Sequence, residues 1–285
     1  MAEAFARPSD RQEIEQRLDA LVERNRFTIA VVFPLVGAVL LLASAEGLLP
    51  AILAFNPYLV LSGVLVMRLP LVAGLLPLVG KRALTALSVL TLYSYAIEYV
   101  GATTGFPYGD FVYEVPLGPM LADTIPVGLP VFFLPLVLNS YLLCLLLLGE
   151  RAKSAFVRLP AVIAAVLAVD MVLDPAAVAL GFWSYGGGVY YGVPLSNYAG
   201  WVLSATVATL LVDFAFDSTD LVNRVRSCPF MLDDLVSFVL LWGAVNAVYG
   251  AWIPVGVALL FGVGLVQLDR FDFAVWNGLP GRTRK

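Results

Sequence analysis

Eight apolar runs, each close to the roughly 20 residues that a bilayer-spanning helix requires, fill most of this 285-residue chain and leave almost every charge between them. They fall at about residues 27–49, 56–79, 83–101, 127–149, 159–182, 197–216, 233–250 and 253–268. With a mean hydropathy of +0.89, the chain lies outside the range of water-soluble domains. Backbone N–H and C=O groups in lipid must be satisfied within the protein, which leaves helices or closed barrels. Runs of Leu, Val and Ala without strict alternation select helices. The expected fold class is all-α, a polytopic integral membrane helical bundle of about eight transmembrane helices.

The basic residues orient it. Arg7 to Arg26, Lys81 and Arg82, Arg151 to Arg158, Arg224 and Arg226, and Arg270 to Lys285 hold 16 of the 17 Lys and Arg, all in alternate loops. The positive-inside rule places those loops and both termini in the cytoplasm, as in a multi-pass protein of the cell membrane. Residues 1–26 read as a cytoplasmic amphipathic helix with Ile14, Leu18, Leu21 and Val22 on one face, 27–270 as the transmembrane domain, and 271–285 as a cytoplasmic tail. The polar start argues against a cleaved signal, and no internal repeat supports an inverted-repeat transporter. A net charge of −4 with no accumulated basic face excludes nucleic acid as the main partner. Cys144, in an apolar run, and Cys228, in a basic loop, fall at different depths and read as free thiols.

Two outer loops, residues 101–126 and 183–196, are dense in Gly, Pro and aromatics and are not expected to form regular helix. Glu98 lies one turn inside the third run, and Asp170 and Asp174 share a face of the fifth. An Asp near the centre of a span costs roughly 2.5 to 3.5 kcal/mol, so a pair on one face needs a reason. Pro175 is expected to kink or open the helix there. Arg68, inside the second run, needs a partner and reads as the counter-ion of one carboxylate. Asn56, Asn139, Asn197 and Asn246 read mainly as helix-to-helix bonds or caps. Asp233 and Asp234 stand at a helix start, where the helix dipole accounts for them. The chain contains no His, which excludes imidazole catalysis, His-ligated haem and most zinc sites, so proton chemistry falls to carboxylates or tyrosines.

The ordered pattern Glu98-Tyr-Val-Gly-x-x-Thr-Gly105-Phe-Pro-Tyr108-Gly109-x-Phe-x-Tyr113, Asp170-x-x-x-Asp174-Pro, Gly181-x-Trp183, Tyr190-Tyr191-Gly-x-Pro194, Asn197 and Gly200-Trp201 resembles the membrane carotenoid hydratases of halophilic archaea, over about residues 28–270. The resemblance implies addition of water to the terminal isopropylidene bonds of a C50 polyene, without a cofactor or metal. Such hydration needs a proton donor, a stabilised tertiary cation and a held water. A carboxylic acid in an apolar setting can stay protonated, and aromatic faces can stabilise the cation. Asp174 or Asp170 is then expected to protonate the alkene and Glu98 to hold the water, with the roles exchangeable. Tyr108, Tyr113, Trp183, Tyr190, Tyr191 and Trp201 would line the substrate site, Asn197 would help place the water, and Arg68 would keep one carboxylate ionised. A polyene about as long as the bilayer core would lie among the helices with one end at the acids. The expected partners are the carotenoid, water, membrane lipid and other enzymes of the carotenoid pathway.

Three other readings stand beside this one: a hydratase of shorter acyclic or monocyclic carotenoids, a proton-coupled transporter using the acids as a relay, and a non-catalytic carotenoid-binding protein.

Overall fold

The computed structural model describes residues 10–115 and 117–271, so the first nine residues and all but Phe271 of the expected tail lie outside the described residues. The segment between is a bundle of helices: α1 (Asp10–Phe27), α2 (Phe33–Ala45), α3 (Pro57–Leu75), α4 (Lys81–Thr104), α5 (Leu129–Leu148), α6 (Ala155–Ala179), α7 (Leu195–Ala215), α8 (Ser218–Ser227), α9 (Asp233–Val248) and α10 (Trp252–Gln267). Short strands β1 (Phe111–Tyr113), β2 (Met120–Leu121), β3 (Ile125–Pro126) and β4 (Trp183–Tyr185) lie at one end.

Every apolar run is helical. Six helical stretches among the described residues are long and apolar enough to cross a bilayer. The last two, α9 and α10, have 16 residues each. At 1.5 Å per residue they measure about 24 Å, short of the roughly 30 Å hydrocarbon core. The expected eight spans thus divide into six of full length and a tight hairpin turned at Gly250, which adopts φ +69°. In α9, Leu235, Val236, Phe238, Val239 and Leu241 are all buried, so protein rather than lipid surrounds much of it. Outward faces elsewhere are apolar: Leu92 is 68% exposed and Leu260 71%. In water such surfaces would aggregate; in a bilayer they face acyl chains.

α1 is not a separate element. It continues through a π-helical stretch, Thr28–Val32, into α2 as one 36-residue rod, so the boundary read at residue 27 falls inside a continuous helix. Of its expected apolar face, Val22 is buried and Leu18 packs on the core, whereas Ile14 and Leu21 are exposed.

All the basic loops meet at one end. Arg224 of α8 bonds the Gly74 and Ala73 carbonyls at the end of α3 and Asp19 of α1. Arg11 bonds the Leu76 and Val79 carbonyls. Arg158 of α6 pairs with Asp213 of α7 at 2.6 Å, and Arg270 Nη1 donates to the Cys228 carbonyl. Cys144 and Cys228 are both free and buried.

At the opposite end, β1 pairs antiparallel with β4, Tyr113 opposite Trp183 and Phe111 opposite Tyr185. The two aromatic loops therefore form a small ribbon over the bundle. α4 and α7 pack through small residues, among them Ala86, Ser94, Ser204 and Ala208, which suits a bundle whose helices gain little from hydrophobicity in lipid. Tyr108 is inserted in this seam. A Cβ on Gly200 would lie 2.4 Å from its ring and one on Gly101 would lie 3.0 Å away, so glycine is required at the first position and a tight fit results at the second.

Orientation is testable with single cysteines against the buried native pair. A Val189→Cys variant should react with a membrane-impermeant maleimide on intact cells, and Phe156→Cys only after lysis. The reverse pattern would invert the assigned sidedness.

Candidate functional site

A cavity of about 1490 Å³, counted out to its mouth, lies among α2, α3, α4, α5, α6, α7, α9 and the ribbon. Its walls are mainly apolar and aromatic, and its polar groups gather in two places.

The first is at the ribbon end, where Glu98, Asp174 and Asn197 line the cavity. Asp170 and Asp174 are successive-turn neighbours on α6, 0% and 4% exposed. Asn197, on the first turn of α7, donates Nδ2 to Asp170 Oδ2 at 2.8 Å and to Asp174 Oδ2 at 2.6 Å. Tyr185 of β4 donates to the same Asp174 oxygen at 3.0 Å. Two donors thus hold Asp174 Oδ2 as an acceptor, while Oδ1 accepts from none of the described residues. Asp170 does not line the cavity; it bonds Asn197, with Oδ1 buried and without a partner among the described residues. Glu98 accepts a short bond from Tyr113 Oη. Burial, then the adjacent Glu98, holds the Tyr113 phenol well above its ordinary pKa, and burial, then Asp174, does the same for Tyr185. Both phenols remain donors.

Aromatic rings close this end. Tyr113 and Trp183 meet edge to face at 6.4 Å, and Trp183 stacks on Phe182 at 6.3 Å. Trp183 Nε1 is buried with no acceptor among the described residues. On the other side Trp201 stacks on Phe133 at 5.2 Å. Tyr108 Oη lies 2.6 Å from Ser204 Oγ, which also meets Tyr93 Oη at 3.1 Å.

The second polar place is Arg68. It lines the cavity, but its carboxylate partner is Asp234, not Glu98, Asp170 or Asp174, so the expected counter-ion role is corrected. Asp233 and Asp234 are both fully buried and ion-paired, to Arg26 and Arg68, so the helix dipole alone does not account for them. Asn139 Nδ2 also donates to Asp234, at 2.6 Å. Asn56 caps α3, and Asn246 bonds the Val172 and Trp242 carbonyls.

α6 runs unbroken through Pro175, against the expected opening. The proline deprives the Met171 carbonyl of its helical donor, and Tyr190 Oη donates to that oxygen at 3.2 Å. Tyr190 therefore mends the helix beneath the Asp pair and does not line the cavity; Tyr191, 40% exposed at φ +51°, accepts from the Ile253 backbone N–H and does not line it either. Tyr108, Tyr113, Trp183, Asn197 and Trp201 line it as expected. Tyr185, Phe182, Phe133 and Trp242 were not anticipated. Strand alternation would have found Tyr185, because positions 183 and 185 share one face of β4.

A family model described as carotenoid biosynthesis protein matches residues 55–265. The chain is 64% identical over 275 residues, 96% of its own length and 94% of the other's, to a protein named bisanhydrobacterioruberin hydratase from Haloarcula japonica. No solved structure matches.

Removing Arg68 should be costly because it leaves Asp234 buried without its cation. Arg68→Met is expected to destabilise by about 3 to 5 kcal/mol, read as a fall in the thermal midpoint in detergent. Adding Asp234→Asn should recover much of the loss.

Proposed function

The chain belongs to the carotenoid biosynthesis family, and from that premise we propose that it is a carotenoid hydratase that adds water across a terminal isopropylidene bond of a long polyene. The close likeness to a bisanhydrobacterioruberin hydratase points to a C50 substrate of that kind and to bacterioruberin as the product. One observation carries the mechanism: two carboxyl groups, on α4 and α6, meet the same aromatic end of an apolar cavity, each held by a phenol.

Asp174 is the acid. Asn197 and Tyr185 occupy its Oδ2, so the transferable proton sits on Oδ1, the oxygen without a partner. The alkene π pair takes this proton to form a C–H bond, and the positive charge falls on the tertiary carbon. The faces of Tyr113, Trp183 and Phe182 stabilise that charge through their quadrupoles.

Glu98 holds the water. Its Oε1 is taken by Tyr113, which leaves Oε2 to accept the proton that water loses as its lone pair forms the C–O bond. Both Asn197 donor contacts run to the Asp pair, so the proposed donor that positions the water oxygen is Trp183 Nε1–H. One proton is lent by Asp174 and one gained by Glu98, so the net change is addition of H₂O once the two exchange it.

A relay that moves ions across the membrane finds less support, because the acids at the opposite end, Asp233 and Asp234, are bound in ion pairs.

The test is conversion of the dianhydro polyene in membranes, followed as mass gains of one and two waters. Asp174→Asn should lose at least about a hundredfold in rate, the lower range for general acid catalysis. Trp183→Phe should lose roughly tenfold, because it keeps the aromatic face and removes only a neutral hydrogen bond. Near-normal turnover by a folded Asp174→Asn protein would remove Asp174 from the acid role.

A further inference from the structure

Between α2 and α3 the chain makes a short turn, residues 46–56, whose apolar side chains Leu48, Ile52 and Leu53 are exposed. Phe55, alone of the described residues in this turn, lines the main cavity. It does so at φ +45°, in the left-handed region that a bulky side chain rarely adopts. The surroundings hold it there from both sides. The Phe55 backbone N–H donates to Ser44 Oγ at 3.2 Å, and that hydroxyl, buried near the end of α2, donates in turn to the Leu40 carbonyl at 2.7 Å. The next residue, Asn56, caps α3 and ties back to the Ile52 carbonyl at 2.9 Å. A disfavoured backbone conformation persists only where its neighbours over-determine it, and such residues cluster at functional sites.

What the strain achieves is the placing of a ring. Phe55 meets Phe182 edge to face at 5.4 Å. Phe182 stacks on Trp183, and Trp183 meets Tyr113, whose hydroxyl holds Glu98. Rings in contact thus run from the α2–α3 turn to the carboxyl group proposed to hold the water. The wall of the reacting end is continued by Phe55 onto a side that the two aromatic loops do not reach.

We infer that Phe55 decides the product of the reaction: its ring is the side stop that keeps the tertiary cation facing the held water. That cation has two fates. In one, the water lone pair fills the empty orbital to form the C–O bond, and Glu98 takes the proton the water releases. In the other, Glu98 takes a proton directly from an adjacent methyl group, the C–H pair becomes a new C=C bond, and the product is an isopropenyl isomer that has gained no water. The first fate needs the empty orbital turned to the water. The second needs only that the end group rotate until a C–H bond meets the carboxylate. A small branched end group on a single bond rotates unless walls stop it, and Phe55 is the wall on the α2–α3 side. Ser44 acts through the Phe55 backbone and is a positioning residue.

The inference rests on the hydratase reading, and one experiment separates the two. The dianhydro polyene is converted in membranes suspended in D₂O, and the products are separated and analysed by mass. Protonation leaves one C–D bond in either product, and only the alcohol also gains a water. Wild-type protein should give mainly the alcohol. Phe55→Gly keeps the turn, because glycine takes φ +45° without steric cost, and removes the ring. Its isomer-to-alcohol ratio should rise roughly tenfold, the order of one aromatic contact to a cation. Ser44→Ala should raise the ratio about threefold, the effect of one neutral hydrogen bond, and Ser44→Thr, which keeps the hydroxyl, should return it towards the wild-type value. The ratio does not depend on how much protein folds, so a merely structural role would lower total conversion and leave it unmoved. Where Phe55→Gly converts nothing, the two Ser44 variants decide by the same ratio. Alcohol formation with an unmoved ratio would overturn this inference alone; a wild type that forms no alcohol would refute the hydratase reading and this inference with it.

Discussion

A backbone carbonyl inside a bilayer has no water to turn to, and the arrangement of this site follows from how two such carbonyls are satisfied. Pro135 in α5 deprives Val131 of its helical donor, and Pro175 in α6 does the same to Met171. Arg68 Nε donates to the first and Tyr190 Oη to the second. Each repair fastens a functional region. The Arg68 bond draws the α3 guanidinium across to α5, next to Asn139 and Asp234. The Tyr190 bond ties the second aromatic loop to the helix that carries Asp170 and Asp174. Proline here forces a side chain to arrive at a chosen depth.

The two ends of the bundle then diverge in character. At the basic end, Arg26–Asp233 and Arg224–Asp19 link helices distant in sequence, Arg158–Asp213 links α6 to α7, and Arg68–Asp234 extends this set inward to the floor of the cavity. These pairs fix helix register in a medium that supplies little hydrophobic drive between helices. At the ribbon end no such pair joins the acids among the described residues. Glu98, Asp170 and Asp174 are held by phenols and an amide, groups that orient a carboxyl group without supplying a compensating charge. A carboxyl held in this way is suited to trade protons, whereas one locked to a guanidinium is suited to hold a structure.

The helices and the gathering of the basic loops at one end were legible because apolar length and charge segregation are one-dimensional signals. The acids were legible because an Asp in a span is expensive, and Tyr113, Trp183 and Asn197 because their loops stood out in composition. Partners were not legible. Nothing local says that Arg68 meets Asp234, 166 positions away, rather than Glu98. The adjacent pair Asp233 and Asp234 had a sufficient local explanation in the helix dipole, which concealed the ion pairs. Tyr190 and Tyr191 belong to the motif that carries the resemblance, but a motif in an irregular loop does not say which way its side chains point. Tyr185 follows from alternation with Trp183 only once residues 183–185 are a strand, and the pairing with residues 111–113 that makes them one is a long-range contact.

The depth of the cavity bears on how a symmetric polyene would be processed on the proposed reading. On α3 the cavity extends from Pro57 to Arg68, which is about 16 Å at 1.5 Å per residue, roughly half the hydrocarbon core. The Arg68–Asp234 pair closes it below. A C50 chain as long as the core does not fit within it, contrary to the expectation that the whole polyene lies among the helices. Only one end group and the first part of the conjugated chain would be enclosed, and the remainder would extend through the mouth into lipid. The enzyme would then read an end group, not a length, and the two ends of a symmetric substrate would present the same local structure. Hydration of the second end would require release, reversal and rebinding, and the singly hydrated product would pass through the membrane between turnovers.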